Sequence, residues 1–363
     1  MTRQALLLSG SLGMGHDVMA EACDVSLAAR GWESKTLNSL TLMGDAAGGI
    51  GQRVFETILS IPGAYDAFHF TQLRLGGPLG RFAERASSKY AVPNLNAELD
   101  RRPVELVVSV FASGAAAASR VKAQRGGFTT VVFCTDVCPH SMWVQDSCDL
   151  FLVTSRSSAG FVRRYAPAAN VAIVPAPVRP PFYAAPLQAD ARAALDVPIG
   201  EPCVLLMSGA WGLGPIVDVA DQLTSDGIYT LAVAGTNAKL ENALRALAER
   251  RDRLRPFGFT DQIPTLMAAS DVVITSSGDT CTEARVIGRE LLLLDVVPGH
   301  GRENLQEELE RGNADVTALE PGLLLRSVRS ALSRVEPPTA RVARTPEAWE
   351  TAFSAALASV GLD

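Results

Sequence analysis

Short, uniformly apolar runs separated by helical patterns limit most strongly how this chain can fold. They are Ala5–Ser9, Glu105–Val110, Thr130–Cys134, Leu150–Val153 and Val171–Val174 in the first half. Cys203–Met207, Tyr229–Ala234, Val272–Thr275 and Leu291–Asp295 follow in the second. Most carry apolar side chains at successive positions rather than alternate ones, as parallel strands covered on both faces do. Helical stretches such as Asp17–Arg30, Lys239–Arg251 and Arg302–Arg311 lie between them. A βαβα series of this kind predicts an α/β fold with parallel sheets. At 363 residues the chain exceeds one ordinary core and suits two domains.

The best boundary is Pro175–Pro186, PAPVRPPFYAAP, with five prolines in twelve residues. Such a stretch cannot be a helix interior and predicts a stiff, extended connection. The expected division is therefore an N-terminal domain over 1–175, a linker over 176–187 and a second domain over 188–344. A final helix over 345–363 can pack on either. Each domain opens with a strand and a glycine-rich turn, LLLSGSLGMGH and VLLMSGAWGLG. Two Rossmann-like domains in tandem, with a cleft between them, are the expected architecture.

Composition removes several classes. A 47% hydrophobic content excludes disorder. No apolar run approaches the roughly 18 residues of a membrane span. Leu6–Leu8 is too short for a signal-peptide core, and six cysteines make no disulfide scaffold, so a cytoplasmic location is expected. The net charge of −6 argues against a nucleic-acid binder that relies on net charge. It also hides an asymmetry: 17 basic against 14 acidic residues in 1–180, and 16 against 25 beyond. The halves are expected to face different partners.

Gly10-x-x-Gly13-x-Gly15 has the character of an anion-binding turn but not the G-x-G-x-x-G order. The second strand, Trp32–Leu37, ends without a suitable acidic residue. A dinucleotide enzyme is weakly supported, and the glycines can simply shape a tight turn. His16, directly after Gly-Met-Gly, stands where a strand ends and a helix begins, the place where α/β sheets put their ligands. A helix N-terminus disfavours imidazolium, which keeps the ring able to accept a proton. The plainer role is an N-cap or a surface histidine. Cys134, Cys138, His140 and Cys148 lack the paired CxxC spacing of a zinc site, so no metal is expected.

Together these segments resemble the lipid glycosyltransferases of family 28. That group includes the processive diacylglycerol glucosyltransferases, the monogalactosyldiacylglycerol synthases and, more distantly, the peptidoglycan N-acetylglucosaminyl transferase. The resemblance runs from about residue 5 to 315. Its carriers are SGSLGMGHDVMAEA at Ser9–Ala22, TDVCPHSMWV at Thr135–Val144, Cys203–Pro215, GFTDQIPTLMAASD at Gly258–Asp271, ITSSGDTCTEA at Ile274–Ala284 and VPGHGRENL at Val297–Leu305.

The resemblance implies a GT-B fold, two Rossmann-like domains whose parallel sheets face a central cleft. It implies an inverting transfer from a UDP-sugar held by the C-terminal domain to a lipid hydroxyl, with no cofactor required. His16 would be the base or assist it, with Asp136 and His140 in the facing loop and Gly13 and Gly15 in the acceptor-side loop. Glu283 would bind the ribose, while Gly278, Asp279 and Thr280 offer amides to the diphosphate. Gly209 and Gly212 would approach from the other side. Gly258, Phe259 and Ile263 would line the base pocket, and His300, Glu303 and Asn304 would meet the donor sugar. Two positions depart from the family pattern. Thr275-Ser276-Ser277-Gly278-Asp279 lacks the usual lysine and puts a carboxylate beside the phosphates, and His300 replaces a glutamine.

Apolar residues around Phe55, followed by Arg74, Arg81, Arg85 and Lys89, suit a peripheral contact with the cytoplasmic membrane face. A domain core with a solvated basic face explains them equally well from sequence alone. Alternatives to the transferase are a UDP-sugar epimerase or hydrolase, a non-catalytic nucleotide-sugar or lipid-binding protein, and a transferase with a soluble acceptor.

Overall fold

The computed structural model describes residues 2–10, 15–44, 69–74, 77–207, 215–297, 299–312, 314–317, 320–335 and 346–362. The chain forms two compact units. The first comprises Met1–Pro177, Pro298–His300 and Glu347–Asp363; the second comprises Val178–Val297 and Gly301–Pro346.

The first unit is built on six parallel strands: β1 (Arg3–Ser9), β2 (Trp32–Asn38), β3 (Leu106–Ser109), β4 (Thr129–Phe133), β5 (Leu150–Val153) and β6 (Val171–Ile173). Their order is β2-β1-β3-β4-β5-β6. The chain adds β2 on one side of β1 and then crosses to place β3 on the other, so a topological switch lies between β1 and β3. Leu6–Leu8 and Leu106–Val108 are essentially inaccessible, which accounts for their unbroken apolar runs. Helix α1 (Gly15–Ala28) leads from β1 to β2; α2 (Pro78–Arg101) and α3 (Ala112–Arg125) flank β3; α4 (Arg156–Tyr165) follows β5. Helix α2 buries Ser88, Ala91, Leu95 and Leu99, a three- and four-residue spacing that turns one helical face to the sheet.

The second unit repeats the plan with β7 (Cys203–Met207), β8 (Tyr229–Val233), β9 (Leu254–Phe257), β10 (Val272–Ser276), β11 (Glu290–Leu294) and β12 (Ala314–Thr317), all parallel. The order β12-β11-β10-β7-β8-β9 puts the switch between β7 and β10. Its helices are α5 (Pro180–Tyr183), α6 (Gln188–Ala194), α7 (Ile216–Ser225), α8 (Ala238–Ala248), α9 (Ile263–Ala269), α10 (Asp279–Ile287), α11 (His300–Glu310) and α12 (Pro321–Ser333). Helix α11 begins at His300, the residue at which the chain leaves the first unit for the second.

The proline-rich segment differs from the extended connection expected for it. Pro180–Tyr183 makes a helical turn with proline at its first positions, where no intrahelical N–H is needed. Val178 and Phe182 belong to a core cluster of the second unit. The last helix, α13 (Glu347–Ala358), returns to the first unit. Trp349 stacks on Phe133 and Phe353 at centroid distances of 5.6 and 4.9 Å, and its Nε1 donates to Ser26 Oγ at 3.0 Å. Among the described residues no helix is long and apolar enough to cross a membrane.

Candidate functional site

Each sheet brings candidate residues together at its own switch point. In the first unit, β1 ends at Ser9 and α1 begins at Gly15, and β3 runs into Val110 and Phe111. Gly10 is required there: a Cβ at that position would lie 2.3 Å from Phe111 Cγ. His16, in the first turn of α1, is held by the residue after Ser109. Its Nδ1 donates to the Val110 carbonyl at 2.8 Å, and Thr135 Oγ1 lies 3.4 Å from the same nitrogen. That bond places the ring proton on Nδ1 and makes Nε2 the basic nitrogen. Phe111 meets the ring edge-on at 4.8 Å, and the Trp143 ring lies at 6.4 Å. Burial lowers the His16 pKa, against a smaller opposing pull from Asp136, so the imidazole is neutral and proton-accepting near neutrality.

Asp136 sits in the loop after β4. Its Oδ2 accepts the Trp143 indole N–H at 2.8 Å and faces His140 Nε2 at 3.8 Å. Burial works to raise its pKa. The combined fields of His300, His140 and His16 and the indole N–H outweigh it, so the carboxyl is held below its usual range. His140 is buried, and its Nδ1 accepts the Met142 amide at 3.3 Å, which leaves Nε2 to carry the proton toward Asp136. The His69 ring, 1% exposed, lies 6.3 Å from His140 and 6.2 Å from His300. All four histidines of the chain thus converge in the first unit.

Three of those histidines were candidates from sequence, His300 among the residues expected to meet the donor sugar; the structure groups His300 with the first unit. His69, Phe111, Trp143 and the Val110 carbonyl were not singled out. The scarcity of histidine was the one available signal for His69.

In the second unit, β10 leads through Ser277 and Gly278 into α10. Gly278 is the N-cap, extended and exposed, and no heavy atom lies within 4 Å of where its Cβ would be. The first amides of α10 therefore stand open at a helix N-terminus. One turn in, Glu283 is buried and accepts Arg179 Nη2 at 3.1 Å. Burial pushes the Glu283 carboxyl up to about 7, although Arg179 pulls it down and Asp279 adds to the rise. Asp279 is raised as well, by burial first and Glu308 last, with Arg179 opposing. One guanidinium serves two carboxylates, so near neutrality the pair carries less than two full negative charges. This weakens the objection to an aspartate beside a diphosphate. Arg179, the only cation in the proline-rich segment, was missed because its partner is 104 residues away.

Gly258 follows β9 with its α-carbon against the Glu241 carboxylate; Phe259 is 66% exposed and Ile263 opens α9. Thr280 is half-buried in α10, and Glu303 and Asn304 are half-buried in the first turn of α11. Gly15 begins α1. Gly13, Phe55, Gly209 and Gly212 lie outside the described residues. Arg74 is half-buried with its guanidinium 3.9 Å over the Phe161 ring, whereas Arg85 and Lys89 are exposed on α2, the helix that also carries Arg81. Among the described residues no three His, Cys, Asp or Glu side chains are grouped to hold a metal ion.

Two Rossmann-like units of this strand order are those of a GT-B protein. The chain is similar to the structure of Acinetobacter baumannii MurG, with a TM-score of 0.60 at 12% identity over 99% of this chain and 98% of that one. It is similar also to the S. aureus MnaA–UDP co-structure, at 0.64 and 11% over the same shares. At these identities the likeness concerns fold alone. No family model matches the chain.

The particular relationship comes from sequence. The chain is 31% identical over 204 residues to the processive diacylglycerol beta-glucosyltransferase of Bacillus subtilis, covering 55% of this chain and 53% of that protein. It is 30% identical over 195 residues to the probable monogalactosyldiacylglycerol synthase 2 of Oryza sativa subsp. indica, covering 47% and 41%. The chain spans about half the length of the curated relatives it matches. It is a distant homologue of these family-28-like glycosyltransferases.

Proposed function

We propose that the chain is an inverting glycosyltransferase that moves a sugar from a UDP-sugar to a hydroxyl of a diacylglycerol-type lipid. The observation that carries this reading is the division of chemistry between the two switch points. One holds a neutral, half-buried imidazole with Nε2 as its basic nitrogen; the other holds a helix N-terminus with a buried carboxylate one turn in. The names of the distant relatives supply the lipid acceptor and the hexose donor.

In this mechanism Glu283 accepts hydrogen bonds from the ribose hydroxyls, and the amides of Gly278, Asp279 and Thr280 receive the diphosphate. The acceptor hydroxyl attacks the anomeric carbon, its proton passes to His16 Nε2, and the bond to the diphosphate breaks. Fixed amide dipoles stabilise the charge that develops on the leaving group. Asp136 stabilises the imidazolium that forms.

The test is a donor panel of UDP-glucose, UDP-galactose and UDP-N-acetylglucosamine with total membrane lipid, read by mass spectrometry. A glycolipid product is expected. Epimerised or hydrolysed donor without glycolipid would overturn the reading, and turnover only with soluble acceptors would remove the lipid.

A further inference from the structure

Helices α10 and α11 are tied together at both ends by buried polar groups outside the site described above. At the entrance to α10, Ser277 is 8% exposed, and its Oγ donates at 2.8 Å to the carbonyl of Gly301, in the first turn of α11. Toward the other end, Arg285 Nη1 of α10 pairs with Glu308 Oε2 of α11, with side chains 12% and 10% exposed. Gly301, Asn304 and Glu308 are spaced three and four residues apart, so Asn304 lies on the side of α11 that holds both ties. The field of Glu308 reaches Asp279, in the first turn of α10.

Stability does not explain the second tie. A buried ion pair gives up hydration that only complete hydrogen bonding restores. Among the described residues Arg285 Nη2 is buried with no hydrogen-bond partner, and Arg311 Nη1 stands 3.8 Å from Glu308 Oε1, beyond hydrogen-bond reach. Apolar side chains of that volume would hold two helices together at lower cost. What an ion pair adds is a single register, because it fixes how far α11 lies along α10. The serine bond fixes the same register from the other end.

We propose that Ser277 and the Arg285–Glu308 pair are positioning residues, which hold the first turn of α11, with Asn304, beside the amides that open α10. The inference rests on the donor reading above, in which those amides receive the diphosphate. A sugar bonded to that diphosphate lies next to it, so the first turn of α11 is where the sugar is met. The carboxylate of Glu303 and the amide of Asn304 are groups that hydrogen-bond hydroxyls. A slipped register therefore spoils recognition of the sugar and leaves recognition of UDP intact.

The experiment measures calorimetric binding of UDP, UDP-glucose, UDP-galactose and UDP-N-acetylglucosamine to the full chain. It reads the ratio of the UDP dissociation constant to that of the best-bound UDP-sugar. One variant is Ser277→Ala; the other is Arg285→Met/Glu308→Leu, which replaces the pair by apolar side chains of similar volume. Melting temperatures show which variants fold, and either folded variant decides. UDP affinity is expected to stay within about twofold of wild type, while the ratio falls at least about threefold, the size of one hydrogen bond. A role in stability alone would lower the melting temperature and leave the ratio unmoved, and that result in a folded variant overturns the proposal. Equal losses of UDP and UDP-sugar affinity overturn it as well. Wild type that binds no UDP-sugar overturns the donor reading itself, and this inference falls with it.

Discussion

The two switch-point sites solve opposite electrostatic problems. In the first unit one carboxylate, Asp136, is surrounded by imidazoles and an indole N–H and is held ionised despite burial. In the second unit two carboxylates, Asp279 and Glu283, compete for one guanidinium, and both pKa values rise. The first arrangement suits a place that must take up a proton, because the ionised Asp136 can stabilise an imidazolium. The second suits a place that must receive a polyanion, because the Arg179 guanidinium offsets the two carboxylates near the helix N-terminus. The same sheet plan thus supports two kinds of chemistry through the residues at the ends of its central strands.

Several substitutions would break or sharpen this contrast. The largest effect is expected from His16→Ala, which removes the proton acceptor. Turnover should fall on the order of 10²–10⁴-fold in a glycolipid assay. Retained activity would mean that the imidazole is not the base.

Next in size is Trp143→Phe, which keeps the aromatic bulk and deletes the N–H bonded to Asp136. A carboxylate that loses a donor titrates at higher pH. The acid limb of the pH–rate profile should move upward, and turnover near neutrality should drop about tenfold, within the range for a hydrogen bond to a charged group. An unmoved limb would reduce Trp143 to a packing residue.

The smallest effect concerns pH and donor affinity. With Glu283 titrating near 7, the ionised fraction rises from about one tenth at pH ~6 to about nine tenths at pH ~8. UDP affinity should therefore increase by nearly tenfold across that window. Glu283→Gln should flatten the dependence. The sign for stability is the reverse. The raised carboxyl binds its proton more tightly in the folded chain than in the unfolded one, whose reference value is 4.5. Stability conferred by that proton is present at low pH and is lost as pH rises toward about 7. Thermal melts of wild type and Glu283→Gln across this range check the sign.

How much of this was legible in the sequence depends on where a residue sits in its sheet. Central strands such as β1, β3, β7 and β10 are covered on both faces, and their apolar runs announce them. The strands not anticipated, β9 and β12, are both edges of the second sheet. Half-exposed β9 carries Arg255 and Pro256, the latter tolerated where a missing ladder N–H costs little. Short, polar β12 leaves Val316 45% exposed, so no apolar run forms.

The sites divide in the same way. His16 and Glu283 stand beside glycine turns and could be picked out locally. The Val110 carbonyl and Thr135 reach His16 because β1, β3 and β4 are neighbours, which is a fact of strand order and not of sequence proximity. Arg179 reaches Glu283 because α5 packs on α10, and the prolines around it suggested only an extended connection.

The central claim is that proton transfer belongs to the first unit and donor binding to the second. Calorimetric titration of UDP into wild type, His16→Ala and Glu283→Ala tests it most directly. His16→Ala is expected to bind UDP as wild type does, while Glu283→Ala should bind on the order of 10–100-fold more weakly, as the loss of hydrogen bonds to a charged group implies. Unchanged UDP binding in Glu283→Ala, or a matching loss in His16→Ala, would contradict the division.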